Sequence, residues 1–331
     1  FLFSSVGSRN AYFPTAPFDL RRFMEIYMAP MEGVTNYVFR KAYIKHFIGV
    51  DKFFTPFITP HMKKGFSRSE RMELDKEYNK GQNLIAQILT NSAEDFLKLS
   101  DEIKEMGYNE FNINLGCPSG TVTSKGRGSG FLQDTNALDR FFYEIFEKST
   151  DIKISVKTRI GFCDYDEWDA LLRVYEKYDF NEIIIHPRLR SDFYKNNVYM
   201  QAFTQACKTL KVKIVYNGDI NTQKGFKVLN EELRMNGVDT VMIGRGLVRN
   251  PLLPEAIKTG VDMTDLKKTL EFLDDIKEEY ISLDFGERNT LFKLKELWGM
   301  VLSDEIYAKI LKKIRKANTI NEYNKHIEEL K

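Results

Sequence analysis

Between residues 24 and 249, short apolar segments alternate with polar loops and with segments of helical periodicity, and this alternation constrains the fold most strongly. It predicts strands at residues 25–28, 52–55, 84–88, 110–115, 153–157, 182–186, 213–217 and 240–243. It predicts helices at residues 93–106, 136–148, 168–178, 199–208 and 222–235, and a polar loop without a clear helix at residues 63–80. Because a helix carries the chain back across the sheet between strands, the strands are expected to be parallel. Eight such units close most naturally into a (β/α)8 TIM barrel.

A doubly wound open sheet is the alternative architecture, but no GxGxxG motif follows the first predicted strand. The side-chain parity of the strands favours the barrel. In KISVKTR, Ile154 and Val156 face one way, whereas Ser155, Lys157 and Arg159 face the other. The second set becomes charged only near the end of the strand. That pattern is typical of the C-terminal end of a barrel, where TIM-barrel active sites lie.

The two ends of the chain differ from this central region. Residues 1–23 lack the basic-then-apolar order of a signal peptide and are predicted to be an extension outside the core. Residues 24–250 are predicted to form the barrel. After Pro251 and Pro254 the strand signals stop, and residues 251–331 are predicted to form a smaller all-helical domain. Within it, Ile306, Ile310 and Ile314 keep an apolar face away from several lysines.

The composition limits the possible binding partners and cellular location of the protein. The formal net charge of the 331 residues is +2, so a nucleic acid could be bound only through local basic patches. Three scattered cysteines predict neither a disulfide framework nor a zinc site, and they favour a reducing, cytoplasmic location. No apolar run reaches the length of a membrane span. A monomer is the default expectation.

Polar residues and glycines gather where the predicted strands end. These residues are Pro30, Met31, Glu32, Gln87, Asn114, Cys117, Lys157, Arg159, His186, Arg188, Asn217, Gly218, Asp219, Gly244 and Arg245. Glycines close to cationic groups suit a phosphate, and in barrels such a site commonly follows strands seven and eight. Here those two ends read NGD and GRG. Lys157, His186 and Gln87 could add donors to a flat, electron-poor ring.

Each candidate also has a structural interpretation. A lone cysteine is more often a buried structural thiol, but Cys117 lies between a glycine and a proline beside a polar strand end, which favours a functional role. His186 alone could equally be a satisfied core histidine. Lys157 at an inward position needs an anionic partner. The glycines of residues 126–130 are a weak signal that a mobile loop would also explain. Cys163 and Cys207 are interpreted as structural.

Six motifs resemble the tRNA-dihydrouridine synthase family. In chain order they are MAPMEGVTNYVFR, NLGCPS followed by GRGSGFL, VKTRIGF, HPR, NGDI and IGRGLVRNP. The MEGV form of the first motif is most similar to the C-type bacterial branch. The resemblance covers roughly residues 24–251. It extends more loosely into the helical tail, where that family carries a tRNA-binding domain.

The resemblance implies an FMN-dependent reduction of a specific uridine in tRNA to 5,6-dihydrouridine, with NADPH or NADH as the reductant. It implies that Cys117 is the catalytic residue. The cofactor-binding residues it implies are Pro30, Met31 and Glu32 along the flavin ring, Gln87 and Lys157 bonded to the ring, His186 beside it, and Asn217, Gly218, Asp219, Gly244 and Arg245 at the phosphate. The substrate-binding residues it implies are Asn114, Arg159 and Arg188.

The chemistry agrees with these roles. Reducing the uracil double bond requires a hydride, which a reduced flavin can give, and a proton from a weak acid. A thiol with an ordinary pKa of about 8.5 is still protonated near neutral pH. The target nucleotide must also flip out of the folded RNA to reach a barrel mouth. The basic residues predicted to contact the rest of the tRNA are Lys63, Lys64, Arg68, Lys309, Lys312, Lys313 and Lys316.

Two other functions remain open at this point. One is an FMN barrel of the dihydroorotate dehydrogenase or ene-reductase type that acts on a small molecule, although such an enzyme does not need a basic helical tail. The other is a tRNA-binding protein without turnover, which would not require a thiol among cofactor-type residues. The sequence does not choose between NADPH and NADH. The C-type likeness suggests a uridine in the D-loop without fixing which one.

Overall fold

A computed structural model describes residues 24–61, 65–149, 151–301 and 307–330. Its centre is a sheet of eight parallel strands: β1 (Glu25–Met28), β2 (Phe53–Phe54), β3 (Leu84–Ile88), β4 (Glu110–Leu115), β5 (Lys153–Gly161), β6 (Glu182–Leu189), β7 (Lys213–Tyr216) and β8 (Thr240–Ile243). Their order is β1-β8-β7-β6-β5-β4-β3-β2. Backbone hydrogen bonds between β1 and the start of β2 (Met28 N to Lys52 O, 3.0 Å; Asp51 N to Ile26 O, 2.7 Å) bring the two edges together. The predicted (β/α)8 barrel is confirmed.

Helices follow the strands and cover the outside of the barrel. They are α1 (Tyr37–His46), α2 (Arg68–Leu74), α3 (Ala93–Glu105), α4 (Gly120–Thr123), a 3-10 helix (Gly128–Gln133), α5 (Thr135–Lys148), α6 (Glu167–Tyr175), α7 (Met200–Thr209), α8 (Gln223–Met235), α9 (Arg245–Arg249) and α10 (Leu253–Thr259). Side-chain caps fix several helix starts. The Ser92 hydroxyl accepts from the Asp95 N–H, and the Thr222 hydroxyl accepts from the Gly225 N–H.

The prediction that residues 63–80 lack a helix is wrong, because helix α2 occupies Arg68–Leu74. Its start is a capping box, in which Ser67 and Glu70 each bond the other's backbone N–H. Glu73 in its last turn anchors the helix to the barrel, because its carboxylate pairs with the buried guanidinium of Arg40 at 2.8 Å. A local cap and one long-range ion pair therefore stabilise a helix that is too short and too polar to show helical periodicity.

The glycine-rich segment after β4 is folded and buried, so a simple mobile loop does not describe it. Residues 128–132 are buried, and they form most of the 3-10 helix. A Cβ atom added to Gly130 would lie 2.6 Å from the carbonyl oxygen of Thr123 in α4. Glycine is therefore needed for the two short helices to pack against each other directly behind Cys117.

The inside of the barrel is filled by side chains from most of its strands. One buried cluster contains Tyr27, Ala29, Phe54, Ile85, Ile184, Val215 and Met242, whereas Ile183 and Ile185 belong to the core beneath the helices. Successive residues of β6 therefore face opposite sides of the barrel wall. At the N-terminal end, Lys52 pairs with Glu110 at 3.0 Å and Glu182 at 3.1 Å. This charged network lies below the apolar cluster, which leaves the polar strand ends at the opposite mouth.

The C-terminal helices are α11 (Leu266–Ser282), α12 (Glu287–Val301), α13 (Ala308–Lys316) and α14 (Ile320–Glu328), as the all-helical prediction requires. They contact the first βα unit of the barrel. On α1, Lys41 pairs with Glu279 at 2.8 Å and His46 with Asp275 at 2.6 Å. From α12, the Lys293 ammonium donates to the Gly33 carbonyl at 3.0 Å. The division into domains at residues 24–250 and 251–331 stays a prediction.

Several expectations fall on residues outside this description, namely the extension at residues 1–23, the basic residues Lys63 and Lys64, and Ile306. In the part of the chain that is described, no helix has the length and apolarity needed to cross a membrane. Within the same residues, no group of three or more His, Cys, Asp or Glu side chains could hold a metal ion.

Candidate active site

A cleft with about 750 Å³ of empty volume opens at the C-terminal end of the barrel. TIM-barrel active sites lie at this end of the barrel. The structure brings nine of the predicted site residues together along the wall of the cleft: Pro30, Met31, Lys157, His186, Asn217, Gly218, Asp219, Gly244 and Arg245. Apolar side chains such as Met242 and Ile243 complete one part of the lining. The other predicted site residues, Glu32, Gln87, Asn114, Cys117, Arg159 and Arg188, are not part of this wall.

A ladder of buried polar side chains crosses strands β3, β4 and β5. Its lower part was not predicted: Asn112 donates to the Ser155 hydroxyl at 2.9 Å and accepts from the Gln87 amide at 2.8 Å. Gln87 in turn accepts from the Asn114 amide at 2.8 Å. Gln87 and Asn112 are almost completely buried. Buried amides that satisfy one another in this way hold fixed orientations.

The upper end of this ladder holds the backbone at Cys117. The side-chain oxygen of Asn114 accepts from the N–H groups of Gly116 at 3.1 Å and Cys117 at 2.9 Å. On the other side, the hydroxyl of Ser129 donates to the Cys117 carbonyl at 2.7 Å. Asn114, predicted as a substrate contact, therefore also positions the cysteine loop. Ser129, which lies within the glycine-rich motif at residues 126–130, was missed because this contact joins distant parts of the loop.

The Cys117 thiol is partly buried. Burial raises its pKa above the ordinary value, and the carboxylate of Glu32 acts in the same direction, whereas a backbone N–H and the cations Lys157 and Arg159 oppose the rise. The raised pKa keeps the sulfur protonated at neutral pH. This cysteine is therefore suited to donating a proton and is poorly suited to acting as a thiolate nucleophile.

Lys157 lies on β5, next to the cysteine loop. A Cβ atom on Gly116 would lie 3.9 Å from the Lys157 ammonium. Burial, reinforced by the neighbouring Arg159, lowers the pKa of Lys157 to about 8. Among the described residues this ammonium forms no ion pair, so the anionic or electron-rich partner that the sequence called for is not supplied by the protein.

The buried His186 is neutral, because burial and the cations Arg159 and Lys157 place its pKa well below 6.5. Its Nε2 atom lies 3.2 Å from the guanidinium of Arg188. Since a guanidinium only donates, Nε2 must accept and the ring hydrogen must be on Nδ1. The imidazole therefore presents an N–H donor from its other nitrogen.

Arg188 is almost completely buried, with 2% of its surface exposed. It donates to the Asn196 carbonyl at 2.6 Å and forms a two-pronged ion pair with Asp219. Asp219 also accepts from Arg245 at 3.0 Å. A carboxylate cannot itself attract a phosphate. The geometry therefore gives Asp219 the task of holding two arginines at the predicted phosphate end.

Close packing of the loops after β7 and β8 forms the same end of the cleft. A Cβ atom on Gly246 would lie 1.9 Å from the carbonyl oxygen of Ile220. Only glycine allows α9 to start so close to the loop after β7. Asn217 is oriented there by a hydrogen bond from its amide to the Met242 carbonyl at 2.8 Å.

Arg159 joins the loops that follow β4 and β6. Its three nitrogens donate to the carbonyls of Gly116 at 3.0 Å, Leu189 at 2.8 Å and Phe193 at 2.9 Å. Most of its hydrogen-bonding capacity is therefore used inside the protein. That Arg159 and Arg188 contact a substrate stays a prediction. Such contacts would use the guanidinium N–H groups that do not bond the protein.

Tyr194 and Met300 are two of the cleft-wall residues that were not predicted. Tyr194 is 49% exposed, and its ring centre lies 4.6 Å from the guanidinium carbon of Arg245 and 5.9 Å from the ring centre of His186. Met300 enters the wall from helix α12 of the tail. A single aromatic in an irregular loop has no periodicity, and a tail residue far along the chain has no motif, so neither residue could be found from the sequence.

The first motif forms the remaining side of the site. Pro30 and Met31 line the cleft, and the Met31 N–H donates to the Thr35 hydroxyl at 2.8 Å. Glu32 is partly buried beside the tail. Burial raises its pKa, and the nearby carboxylate of Glu73 adds to the effect, while Lys293 opposes it.

Comparison with known proteins gives a family. The dihydrouridine synthase (Dus) family matches residues 27–330. A protein of Staphylococcus epidermidis named probable tRNA-dihydrouridine synthase is 33% identical over 236 residues, which are 68% of this chain and 69% of that one. Probable tRNA-dihydrouridine synthase 2 of Bacillus subtilis is 30% identical over 264 residues, which are 76% of this chain and 78% of that one.

Among solved structures, morphinone reductase superposes with a TM-score of 0.51 and 12% identity over 74% of this chain and 88% of its own. At that identity the likeness speaks for the barrel fold alone. The family match, in contrast, covers the barrel and the helical tail together. The chain belongs to the dihydrouridine synthase family.

Proposed function

We propose that this protein is an oxidoreductase of tRNA processing that reduces a uridine of tRNA to 5,6-dihydrouridine, using bound FMN that NADPH or NADH reduces. One observation carries the proposal. Cys117, a thiol whose raised pKa favours its protonated form, lies near Lys157, an ammonium that has no ion pair among the described residues, at the mouth of a barrel of this family. A non-catalytic RNA-binding protein would need neither group.

The residues at the mouth fit FMN. Pro30, Met31 and Met242 offer apolar surface to a flat ring, and Lys157 and the Nδ1–H of His186 offer donors to its heteroatoms. A phosphate at the other end of the cleft would meet the half-exposed guanidinium of Arg245 and the glycines of the loops after β7 and β8. The ammonium of Lys157 supports this assignment most strongly, because a ring acceptor would supply its missing partner.

When bound, FMN supplies hydride-transfer chemistry. The protein holds the proton for the adjacent carbon on the sulfur of Cys117. Asn114 and Ser129 fix the backbone on both sides of that sulfur, and Arg159 ties its loop to the loop after β6. This arrangement sets the direction from which the thiol approaches a base placed in the cleft.

The tRNA must present its uridine flipped out of the stack. We infer that the exposed lysines of α13 contact its phosphates. Lys309, Lys312 and Lys316 are exposed on that helix, whereas Lys313 is paired with Glu329. Arg68 at the start of α2 is also exposed. Assignment to the C-type branch, a D-loop target, a cytoplasmic location and a monomeric state all belong to this proposal, and the MEGV motif supports the first two.

The direct test is to incubate the purified, FMN-loaded protein with NADPH and an unmodified tRNA transcript, digest the RNA, and analyse the nucleosides by mass spectrometry. The proposal predicts one uridine that has gained two hydrogens, and no such product with Cys117→Ala. A transcript that stays unmodified while the same protein reduces an enone or oxidises dihydroorotate would instead indicate a small-molecule barrel enzyme.

A further inference from the structure

Arg190, directly after β6, forms a layered contact with two aromatic rings. Its guanidinium carbon lies 5.0 Å from the ring centre of Phe162 and 5.1 Å from that of Phe193. Phe162 follows β5, and Phe193 belongs to the loop after β6. Ring contacts of this kind hold a guanidinium by its faces and leave its N–H edge free to donate.

The hydrogen bonds of Arg190 are far from complete. Its Nε atom is buried without a partner. Its only side-chain hydrogen bond to another described residue is a long one of 3.4 Å to the Thr123 hydroxyl. Arg188 and Arg245 both pair with Asp219, but within the described part of the chain Arg190 has no ion pair. A partly buried guanidinium with unused donors calls for an anion from outside the protein.

Arg190 lies beside the cysteine loop. Thr123, its hydroxyl partner, is in α4 a few residues after Cys117, and the backbone N–H of Arg190 donates to the Gly161 carbonyl at 2.9 Å. The neighbouring Phe193 carbonyl accepts from Arg159, which also holds Gly116. The Arg190 guanidinium is thus connected to the loop that carries the thiol through Thr123 on one side and through Phe193 and Arg159 on the other.

Phe193 adds a second observation. It is 40% exposed and has a φ of +50°, a left-handed conformation that is uncommon for an aromatic residue. Local hydrogen bonds enforce this conformation: the buried Asp192 accepts from the Leu189 N–H at 2.8 Å and from the Asn196 side chain at 2.5 Å. Backbone strain with an exposed ring at a site mouth is typical of a binding element.

We propose that Arg190, held between Phe162 and Phe193, binds a backbone phosphate of the RNA next to the uridine that enters the cleft. This inference rests on the proposed function. Guanidinium–phosphate hydrogen bonds are charge-assisted and directional, so one such contact beside Cys117 would fix the flipped nucleotide relative to the thiol. Arg190 is then a positioning residue that acts on the substrate backbone.

The test is a double-mutant cycle between the protein and the RNA. A substrate tRNA is assembled with a single neutral methylphosphonate in turn at each of the phosphates flanking the target uridine. Binding to wild-type FMN-loaded protein and to Arg190→Gln is measured as a function of salt. For wild type, we expect one methylphosphonate to weaken binding about tenfold or more. For Arg190→Gln with the native RNA, we expect the same loss of affinity and a salt dependence of binding whose slope is smaller by about one. The methylphosphonate that weakens wild-type binding should then cause no further loss of affinity in this variant.

The exposed Arg173 on α6 provides the matched control, and Arg173→Gln should bind like wild type. Arg190→Lys keeps the charge and should recover part of the affinity without the directional contact. Flavin reduction by NADPH and the melting temperature report whether a variant is folded. If Arg190→Gln stays as sensitive to every methylphosphonate as wild type, the phosphate contact is overturned while uridine reduction stands. If wild type fails to reduce any transcript, the proposed function falls and this inference falls with it.

Discussion

At the scale of single residues, the site depends on how Asn114 connects the barrel interior to Cys117. Its amide donates downwards to Gln87, and its oxygen accepts two backbone N–H groups of the cysteine loop. The sulfur also interacts with the backbone N–H of Ser119. The position of its loop is set by Asn114 on β4 and by Ser129 behind it.

Replacing Asn114 with alanine should slow the reaction more than it destabilises the fold. Two N–H groups lose their acceptor, which costs about 1–3 kcal/mol of unfolding free energy. Misplacement of the thiol by about 1 Å can lower the turnover rate about 100-fold. Stopped-flow reoxidation of reduced flavin by tRNA measures the rate, and thermal unfolding measures the stability.

Asn112→Ala is the matched control, because Asn112 lies in the same ladder and bonds Gln87 and Ser155 without touching the cysteine loop. It should lose similar stability and keep most of the rate at saturating FMN. Equal loss of rate in the two variants would contradict a specific role for Asn114.

The pKa of Lys157 gives a second test at this scale. In the free protein the pKa is about 8, so the side chain is charged below that pH and largely neutral above it. A flavin acceptor would favour the charged form and raise this pKa, so FMN binding above about pH 8 should take up a proton. FMN affinity, measured by quenching of flavin fluorescence, should therefore fall as pH rises above about 8.

Lys157→Met should bind FMN more weakly, with an affinity that no longer changes across this range. A pH dependence that persists unchanged in Lys157→Met would show that another group takes up the proton, and it would remove Lys157 from contact with the ring.

The types of the site residues could be predicted from the sequence, but their contacts could not. Strand alternation and motif order located Lys157, His186 and the NGD and GRG ends, and the structure places them around one cleft. Hydrogen-bond partners depend on loops that meet only in the folded chain. The use of Arg159 to bind three carbonyls and of Asp219 to hold two arginines is therefore visible only in three dimensions.

At the scale of secondary-structure elements, helix α12 links the tail to the cleft. Lys293 donates to the Gly33 carbonyl in the first motif, and Met300, two turns further on, forms part of the cleft wall. The tail therefore contributes to the wall of the cleft in which we propose that the cofactor binds, in addition to any contact with RNA.

Met300→Ala should consequently weaken FMN binding without unfolding the barrel. Removing a side chain that covers an apolar ligand loses a few tens of calories per Å² of covered surface, so a several-fold increase in the FMN dissociation constant is expected. Fluorescence titration of apoprotein with FMN measures it. Met235→Ala on α8, where the side chain is 81% exposed, is the matched control and should bind FMN normally. Identical affinities for the two variants would mean that α12 does not reach the cofactor.

Element boundaries show where periodicity is informative. Four strands, β1, β3, β4 and β8, begin and end where predicted. Strands β5 and β6 continue past their predicted ends to Gly161 and Leu189, because the two strands still pair there, Arg159 with His186 and Gly161 with Leu189. Helix α2 was missed because its stability comes from a capping box and a buried ion pair instead of an apolar stripe.

At the scale of the whole molecule, the nearly neutral charge of +2 confines RNA binding to local patches. The exposed lysines of α13 form one such patch. Replacing Lys309, Lys312 and Lys316 with alanine should raise the apparent KM for tRNA and lower the salt slope of binding by up to about three. Flavin reduction by NADPH, which involves no RNA, should be unchanged.

The exposed Lys224 and Lys227 on α8 serve as the control for a general loss of positive charge. Their replacement with alanine should leave the KM for tRNA near the wild-type value. If the α13 variant behaves like the α8 variant, the tail lysines have no part in tRNA binding.

The central claim is that a flavin in this barrel passes its reducing equivalents to a uridine of tRNA while Cys117 gives the proton. The most direct measurement is anaerobic: bleach the bound flavin with NADPH, add unmodified tRNA transcript, and follow the visible spectrum. We expect rapid return of the oxidised spectrum with tRNA and none with orotate or an enone, and we expect Cys117→Ala to lose most of the return with tRNA. Recovery with a small molecule alone, or a protein that cannot be loaded with flavin, would contradict the claim.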